Sequence, residues 1–471
     1  LPVESARAAR LDFLLRKRTA TIEEVAMKFK EDSKVFDGAF ASMNLFGTIL
    51  PLEFGGARKE TLACRDTAWF GTTLCCSPVY EVTGPDAPAF LASISTNKAN
   101  FAEMAPGTSK HMLMCNERGY MIADGVCMCR EAGVYRTYWL APVLTYILEG
   151  AKAQGTDVTG TWITDEYFFQ VDGPKSLEIM EDATKTNLHD LKFARNKQVQ
   201  VAGTPMTIHR LGMSGCLAYE MHGAEEDAEA AYTAILASVE KFGGVKQGFR
   251  NYVVLNHTPA GYPNQFQHFA YDLYSGDPAF AGFAKQNCAP QIVYGSAEAE
   301  PGIMNVTPFD IGWGGCVNLD HDFVGKDALI AAKDSHRQAV TLEWDADDVA
   351  DVFRSQFQGR GEEPYEPIEA YHDAYNGAAA PGIYGCLVQA DGKTIGHAAG
   401  RCYDFYDQRM LSLAFIDPAY AVEGRELSVI WGKPNSRQKT IRAKVAPYPY
   451  FDGEWRNETC DVDKMVPPFK G

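Results

Sequence analysis

Apolar positions recur along the chain with two different periods. Over residues 225–242, Tyr232, Ile235, Leu236, Val239 and Phe242 share one face of a 3.6-residue repeat, which predicts an amphipathic helix. Acidic Glu225, Glu226 and Asp227 suit its start, and Lys241 followed by Gly243-Gly244 suits its end. A second helix is expected after Gly84-Pro85-Asp86, with Phe90, Leu91 and Ile94 turned inward. A third is expected over 327–333, entered through Phe323-Val324-Gly325-Lys326. Strand-like runs alternate with these. Residues 121–129 read as strand, Asp124-Gly125 turn, strand. Cys386 to Gln389 and Thr394 to His397 flank Ala390-Asp391-Gly392-Lys393, a second hairpin signal. Residues 427–431 and 440–445 read as further strands.

Helical periodicity weakens after about residue 338, and short turn-bounded strands take over. This predicts an α+β body over 1–337 and a β-rich domain over 338–471. The Gly-, Pro- and acid-containing stretch 356–380 reads as a long loop. The chain of 471 residues is 46% apolar and 22% charged, an ordinary globular balance that excludes a largely disordered protein. Its formal charge of −17 argues against a nucleic-acid partner, whose phosphates need a basic face. No apolar run approaches the ~18 residues of a membrane span. Leu1-Pro2-Val3-Glu4-Ser5 leads into Arg7, Arg10, Arg16 and Arg18 without an apolar segment, so no secretory leader is expected.

The 12 cysteines include no CxxC pair; the tight pairs are Cys75-Cys76 and Cys127-Met128-Cys129. They read as reduced thiols and place the chain in the cytoplasm. The 10 histidines form no HxxxH or HExxH, so no metal is expected. Dinucleotide-binding, Walker and nucleophile-elbow glycine patterns are missing. General motifs therefore stop at a soluble α+β protein.

Four stretches carry a family resemblance. They are Val79-Tyr80-Glu81-Val82-Thr83-Gly84-Pro85-Asp86, Leu211-Gly212-Met213-Ser214-Gly215-Cys216-Leu217-Ala218-Tyr219-Glu220-Met221, the run from Phe309-Asp310-Ile311-Gly312 to Lys326-Asp327-Ala328-Leu329, and Leu411-Ser412-Leu413-Ala414-Phe415-Ile416-Asp417 leading to Gly432. In this order they resemble the folate-dependent aminomethyltransferase superfamily of the glycine-cleavage T protein. They are most similar to its vanillate- and syringate-type aromatic O-demethylases. The resemblance implies a cloverleaf: two α+β lobes around a folate funnel, with a C-terminal β-barrel-like domain. It implies tetrahydrofolate as cofactor, no metal, and a small aromatic molecule as substrate.

The resemblance places Glu220 on the pterin ring, where a carboxylate takes adjacent N–H donors. Tyr219 and Met221 alternate to the other face as core. Tyr252 falls on an active-site tyrosine of the O-demethylases and would protonate a departing phenolate. His257, on the following loop, is a second acid–base candidate, and Tyr262 a candidate for stacking on substrate. Arg250, Arg401 and Tyr403 are candidate folate contacts. The family's polar substrate residues are replaced: Thr73 and Cys76 stand for a Gln and a His, and Leu140 for a carboxylate-binding Arg. Arg136 is the cation that a register shift would bring in its place. A pocket without that fork disfavours a charged substrate, because the charge would be buried unpaired.

The expected activity is tetrahydrofolate-dependent O-demethylation of a bulky lignin-derived aryl ether. The alternative is a folate-independent lyase that releases a terminal CH2OH carbon as formaldehyde through a quinone methide.

Overall fold

Three large sheets, beside the two-stranded pair Ala41–Leu45 and Thr48–Glu53, organise the chain in a computed structural model that describes residues 29–30, 32–368 and 382–469. The segment weighed as a leader, and positions 369–380 of the expected loop, lie outside the described residues. Residues 356–368 run without helix or strand.

The first sheet has five antiparallel strands, in the order Ser109–Cys115, Met121–Glu131, Val134–Tyr138, Val79–Thr83 and Thr159–Ile163. Helix Ala87–Ile94 buries Phe90, Leu91 and Ile94 in the same core as Leu144 and Leu148 of helix Val143–Ala153. The second sheet has six strands: Asn196–Val201, Thr204–His209, Ala218–Ala224, Glu166–Asp172, Trp69–Gly71 and Val245–Gln247. Helix Ala228–Lys241 packs on it beside helix Ser176–Thr184 and sinks Tyr232, Ile235 and Val239, as the 3.6-residue pattern requires. There Tyr232 meets Phe70 and Phe169, with ring centroids 5.0 and 5.8 Å apart.

The third sheet closes on itself. Its six strands run Gly382–Ala390, Lys393–Asp404, Arg409–Ile416, Gln338–Trp344, Lys439–Ala446 and Glu426–Trp431, and the last returns to the first at Val388–Val429. Closure pairs each of the six strands on both sides for part of its length, which limits the free edge that could template aggregation. Strand Ile292–Tyr294 adds to this sheet in parallel from the body. After Ala446 the chain returns to the second sheet, where Val462 and Val466 join its core. Buried Arg210 holds that return, donating from Nη2 to the Asn457 carbonyl (3.0 Å) and from Nε to its side-chain oxygen (3.2 Å).

The expected hairpin at Asp391-Gly392 forms, with φ of 51° and 75°, the left-handed pair of a tight two-residue turn. The one expected at Asp124-Gly125 does not: Met121–Glu131 is a single strand of 11 residues. Gly125 serves close approach instead, since a Cβ there would run into the Tyr138 carbonyl oxygen of the strand alongside. Straightening this strand leaves Asp124 on its face, opposite Leu113 of Ser109–Cys115. Gly125→Ala is expected to destabilise the protein by about 1–3 kcal/mol through overpacking, read as a fall in the thermal unfolding midpoint. An unchanged midpoint would refute this reading of the glycine.

Candidate active site

The first two sheets face each other across a cavity of about 120 Å³. Thr73 and Cys76 line it from the short helix Thr73–Cys76, and Glu220 from strand Ala218–Ala224. Tyr252 and His257 enter from the consecutive helices Phe249–Leu255 and His257–Ala260. Five of the predicted site residues thus share one cavity. A larger cavity of about 560 Å³, between helices Ala87–Ile94 and Val143–Ala153, contains none of them.

Strand alternation fixes Glu220. Its neighbours Tyr219 and Met221 are fully buried on the opposite face, as expected of core. The Glu220 carboxylate is itself buried, and it accepts no hydrogen bond from the described residues; His209 Nδ1 stands 3.6 Å away. A buried acceptor left open in this way suits a ligand edge that brings its own N–H donors.

Tyr252 is 8% exposed, its ring set edge-on to Trp69 (5.6 Å) and His257 (5.9 Å). Burial, reinforced by Glu220 and Asp172, pushes its phenol well above the usual range, so it stays protonated. His257 Nδ1 donates to the Tyr262 carbonyl at 3.0 Å, which leaves Nε2 as the acceptor. Burial lowers His257 to about 4 and keeps the imidazole neutral. Cys76 donates to the Thr73 carbonyl, and burial drives the thiols of Cys75 and Cys76 far up. They are packing groups rather than nucleophiles. All twelve cysteines are free thiols.

Other predicted residues stand elsewhere. Arg136 is opposite Glu81 in the sheet register, and its guanidinium is held by Glu81 (2.7 Å) and Glu166 (2.5 Å). Leu140 is fully buried in the core of the first lobe; its neighbour Trp139, with φ of 69°, faces the cavity instead. Arg250 pairs with Glu53 at 3.2 Å, outside the cavity lining. The Tyr262 ring lies beneath Arg456, 4.9 Å away, and only its carbonyl serves the site, through His257. Arg401 is buried with its guanidinium 5.5 Å from the Trp431 ring. Tyr403 stacks on Phe405 and lines a separate cleft with Glu343 and Phe353. In each case a nearer partner in the folded chain satisfies the group.

The sequence reading missed a charged pair in the cavity wall. His111 Nε2 lies 3.0 Å from Asp124 Oδ2, and the His111 ring stands edge-on to Trp313 at 4.6 Å. Burial alone would lower His111, but the Asp124 carboxylate and the Cys316 thiol outweigh it and hold it up at about 10. It is therefore an imidazolium at neutral pH. Trp139 and Phe266, 5.9 Å apart, form an aromatic wall of the cavity. No Lys or Arg lines this cavity among the described residues.

The GCVT N-terminal domain family matches residues 41–257. A sesamin methylene transferase from a Sinomonas species is 43% identical over 451 residues, covering 93% of this chain and 98% of that protein. A syringate O-demethylase from a Sphingobium species is 31% identical, covering 85% of this chain and 90% of that protein. The crystal structure of the glycine cleavage system aminomethyltransferase T from Bartonella henselae superposes with a TM-score of 0.62 at 18% identity. It covers 88% of this chain and 95% of that one, and shows the shared fold. This chain belongs to the folate-dependent aminomethyltransferase superfamily.

The His111–Asp124 pair carries a pH signature. Because the folded-state value of His111 is raised from about 6.5 to about 10, its stabilising share is complete below about 6.5 and is lost as pH rises through about 10. In Asp124→Asn the raising charge is gone, and NMR titration of the His111 ring should give a midpoint lower by more than one unit. A parent His111 that already titrates near neutrality would contradict the assignment.

Proposed function

We propose that this protein transfers an ether-bound one-carbon unit from a bulky, uncharged aromatic compound to tetrahydrofolate. The preferred donor is a methylenedioxyphenyl ring. The observation that carries the reading is a cavity walled by Trp139, Phe266 and Trp313, without Lys or Arg, whose buried Glu220 has no hydrogen-bond donor of its own. The cavity's imidazolium, His111, is already paired with Asp124, so a substrate carboxylate would enter uncompensated. That favours a neutral aryl ether over a benzoate. The sesamin methylene transferase and the syringate O-demethylase bracket the two kinds of one-carbon ether, methylenedioxy and methoxy.

Glu220 fits the pterin and would hold its N–H edge. Tetrahydrofolate, when bound, supplies the amine nitrogens that accept the one-carbon unit. The chain's residues manage protons and water. His111 would donate its proton to the first aryl oxygen as its C–O bond breaks and that oxygen takes the bonding pair; of the two protons later released from nitrogen, one would reload His111 and the other, taken up by His257, would pass to the second aryl oxygen. Neutral His257 accepts a proton through Nε2, and Tyr252, protonated throughout, hydrogen-bonds the phenolic oxygen. The net exchange balances: a methylenedioxy carbon leaves two aryl oxygens, and the two protons released from nitrogen end on the catechol. The aromatic wall excludes water, which would otherwise capture the carbon as formaldehyde.

Purified enzyme should be incubated with methylenedioxyphenyl and methoxyphenyl compounds, neutral and carboxylated, with and without tetrahydrofolate. The expected result is a catechol and methylene-tetrahydrofolate from the neutral methylenedioxy compound, only when folate is present. Methyl-tetrahydrofolate from a methoxy compound as the faster product would return the donor to an O-methyl ether. Free formaldehyde at full rate without folate would overturn the proposal in favour of the lyase. Glu220→Ala should weaken tetrahydrofolate binding about 10–100-fold, the loss of charge-assisted hydrogen bonds, read by calorimetry. His111→Asn should lower kcat about 10²–10⁴-fold while leaving folate binding within a few-fold.

A further inference from the structure

Behind Glu220 the second sheet buries polar groups that the transfer reaction does not use. His209 pairs with Glu220 across the antiparallel ladder, and His222 follows Glu220 by two residues on the same face. Both imidazoles are at most 1% exposed. One ring nitrogen of each and a Glu220 carboxylate oxygen lie within 4.8 Å of one another. Among the described residues, His209 Nδ1 and both ring nitrogens of His222 have no hydrogen-bond partner. Orphaned buried nitrogens are costly, and the converging lone pairs of two imidazoles call for a cation or for N–H donors to fill them.

The nitrogens facing away from the cluster are supported. His209 Nε2 is 2.8 Å from Ser109 Oγ, whose hydroxyl also reaches the Ala194 carbonyl. With its proton given to that carbonyl, Ser109 accepts from Nε2–H, and His209 Nδ1 carries the lone pair. His222 Nδ1 sits 3.4 Å from Glu166 Oε1, and Glu166 is itself fixed by Arg136 and by the Tyr138 hydroxyl. For His209 this is the arrangement that orients metal-binding histidines, one nitrogen held by an oxygen and the other presenting its lone pair; His222 has a carboxylate oxygen beside its outer nitrogen without a hydrogen bond to it. His209 Nδ1 and Glu220 Oε2 are 3.6 Å apart, close to the roughly 3.4 Å between neighbouring ligands of a tetrahedral ion with bonds of about 2.0–2.1 Å.

We propose that His209, Glu220 and His222 bind a divalent transition-metal ion of the zinc class, and that the ion and the pterin exclude each other because both need the Glu220 carboxylate. Two imidazoles and one carboxylate select zinc, cobalt or nickel over the hard ions magnesium and calcium. Three protein ligands leave a coordination position for water. The exclusion clause rests on the pterin assignment above; the metal site itself does not.

The test uses the full chain, stripped with a chelator and titrated with Co²⁺ alone while its visible d–d absorption is followed, then with Zn²⁺ by calorimetry. One equivalent with an intense low-symmetry band is expected, and Mg²⁺ should give no signal. His222→Ala should weaken Co²⁺ binding by at least 100-fold. Ser109→Ala, which touches no ligand atom, should weaken it about 10–100-fold with the thermal midpoint little changed. Absence of a stoichiometric band in the parent protein, or equal affinity in His222→Ala, would overturn the site. Tetrahydrofolate should abolish the band, and a band that survives saturating folate would overturn the exclusion. A protein that binds Co²⁺ but transfers no carbon would leave the metal site standing and defeat the transferase reading; the converse result would do the reverse.

Discussion

A carboxylate taken out of water without a hydrogen bond is a large unpaid term, and Glu220 puts one in the wall of the central cavity. Much of the surrounding architecture follows from making that position tolerable until a ligand arrives. The six-stranded sheet holds Glu220 rigidly in register with Gln170 on one side and His209 on the other. Its rear is lined by imidazoles rather than by apolar groups, so a polar environment stands ready where the chain supplies no donor.

Charge is kept out of the cavity by being satisfied beside it. Arg136 is clamped between Glu81 and Glu166, and Glu166 in turn stands next to His222. Burial alone would raise Glu166, but His222, Arg136 and the Tyr138 hydroxyl bring it down to about 2. The arginine expected to meet a substrate carboxylate is held in the frame instead. Beside Glu220, the cavity wall holds the imidazolium of His111 paired with Asp124, the neutral imidazole of His257 and the protonated phenols of Tyr252 and Tyr138 against an aromatic wall, a set suited to moving protons onto neutral aryl oxygens.

The barrel and the tail brace this arrangement from outside. The return of the chain after Ala446 packs Val462 and Val466 into the core beneath the sheet that carries Glu220, and Arg210 locks the return to Asn457. The barrel is joined to the body through Ile292–Tyr294. A division near residue 338 in the sequence thus marks where the barrel strands begin, while side-chain contacts run across it in both directions.

The amphipathic helix at Ala228–Lys241, the Asp391-Gly392 hairpin and the late β-rich strands were legible in the sequence because local periodicity and turn chemistry decide them. Glu220, Tyr252, Thr73 and Cys76 were named from the family resemblance and His257 from its place just after Tyr252, and the fold brings all five to one cavity. Asp124-Gly125 was misread because the same dipeptide serves a turn or a close strand approach, and only the neighbouring Tyr138 carbonyl tells which. Arg136 and Leu140 were misplaced because a one-residue register difference reverses which side chain faces the cavity, and register is fixed across strands rather than along one. His111 meets Asp124, and His209 meets Glu220 and His222, only across paired strands, at separations no short motif spans. Local order came from the chain; the electrostatics of the site came from strands meeting through space.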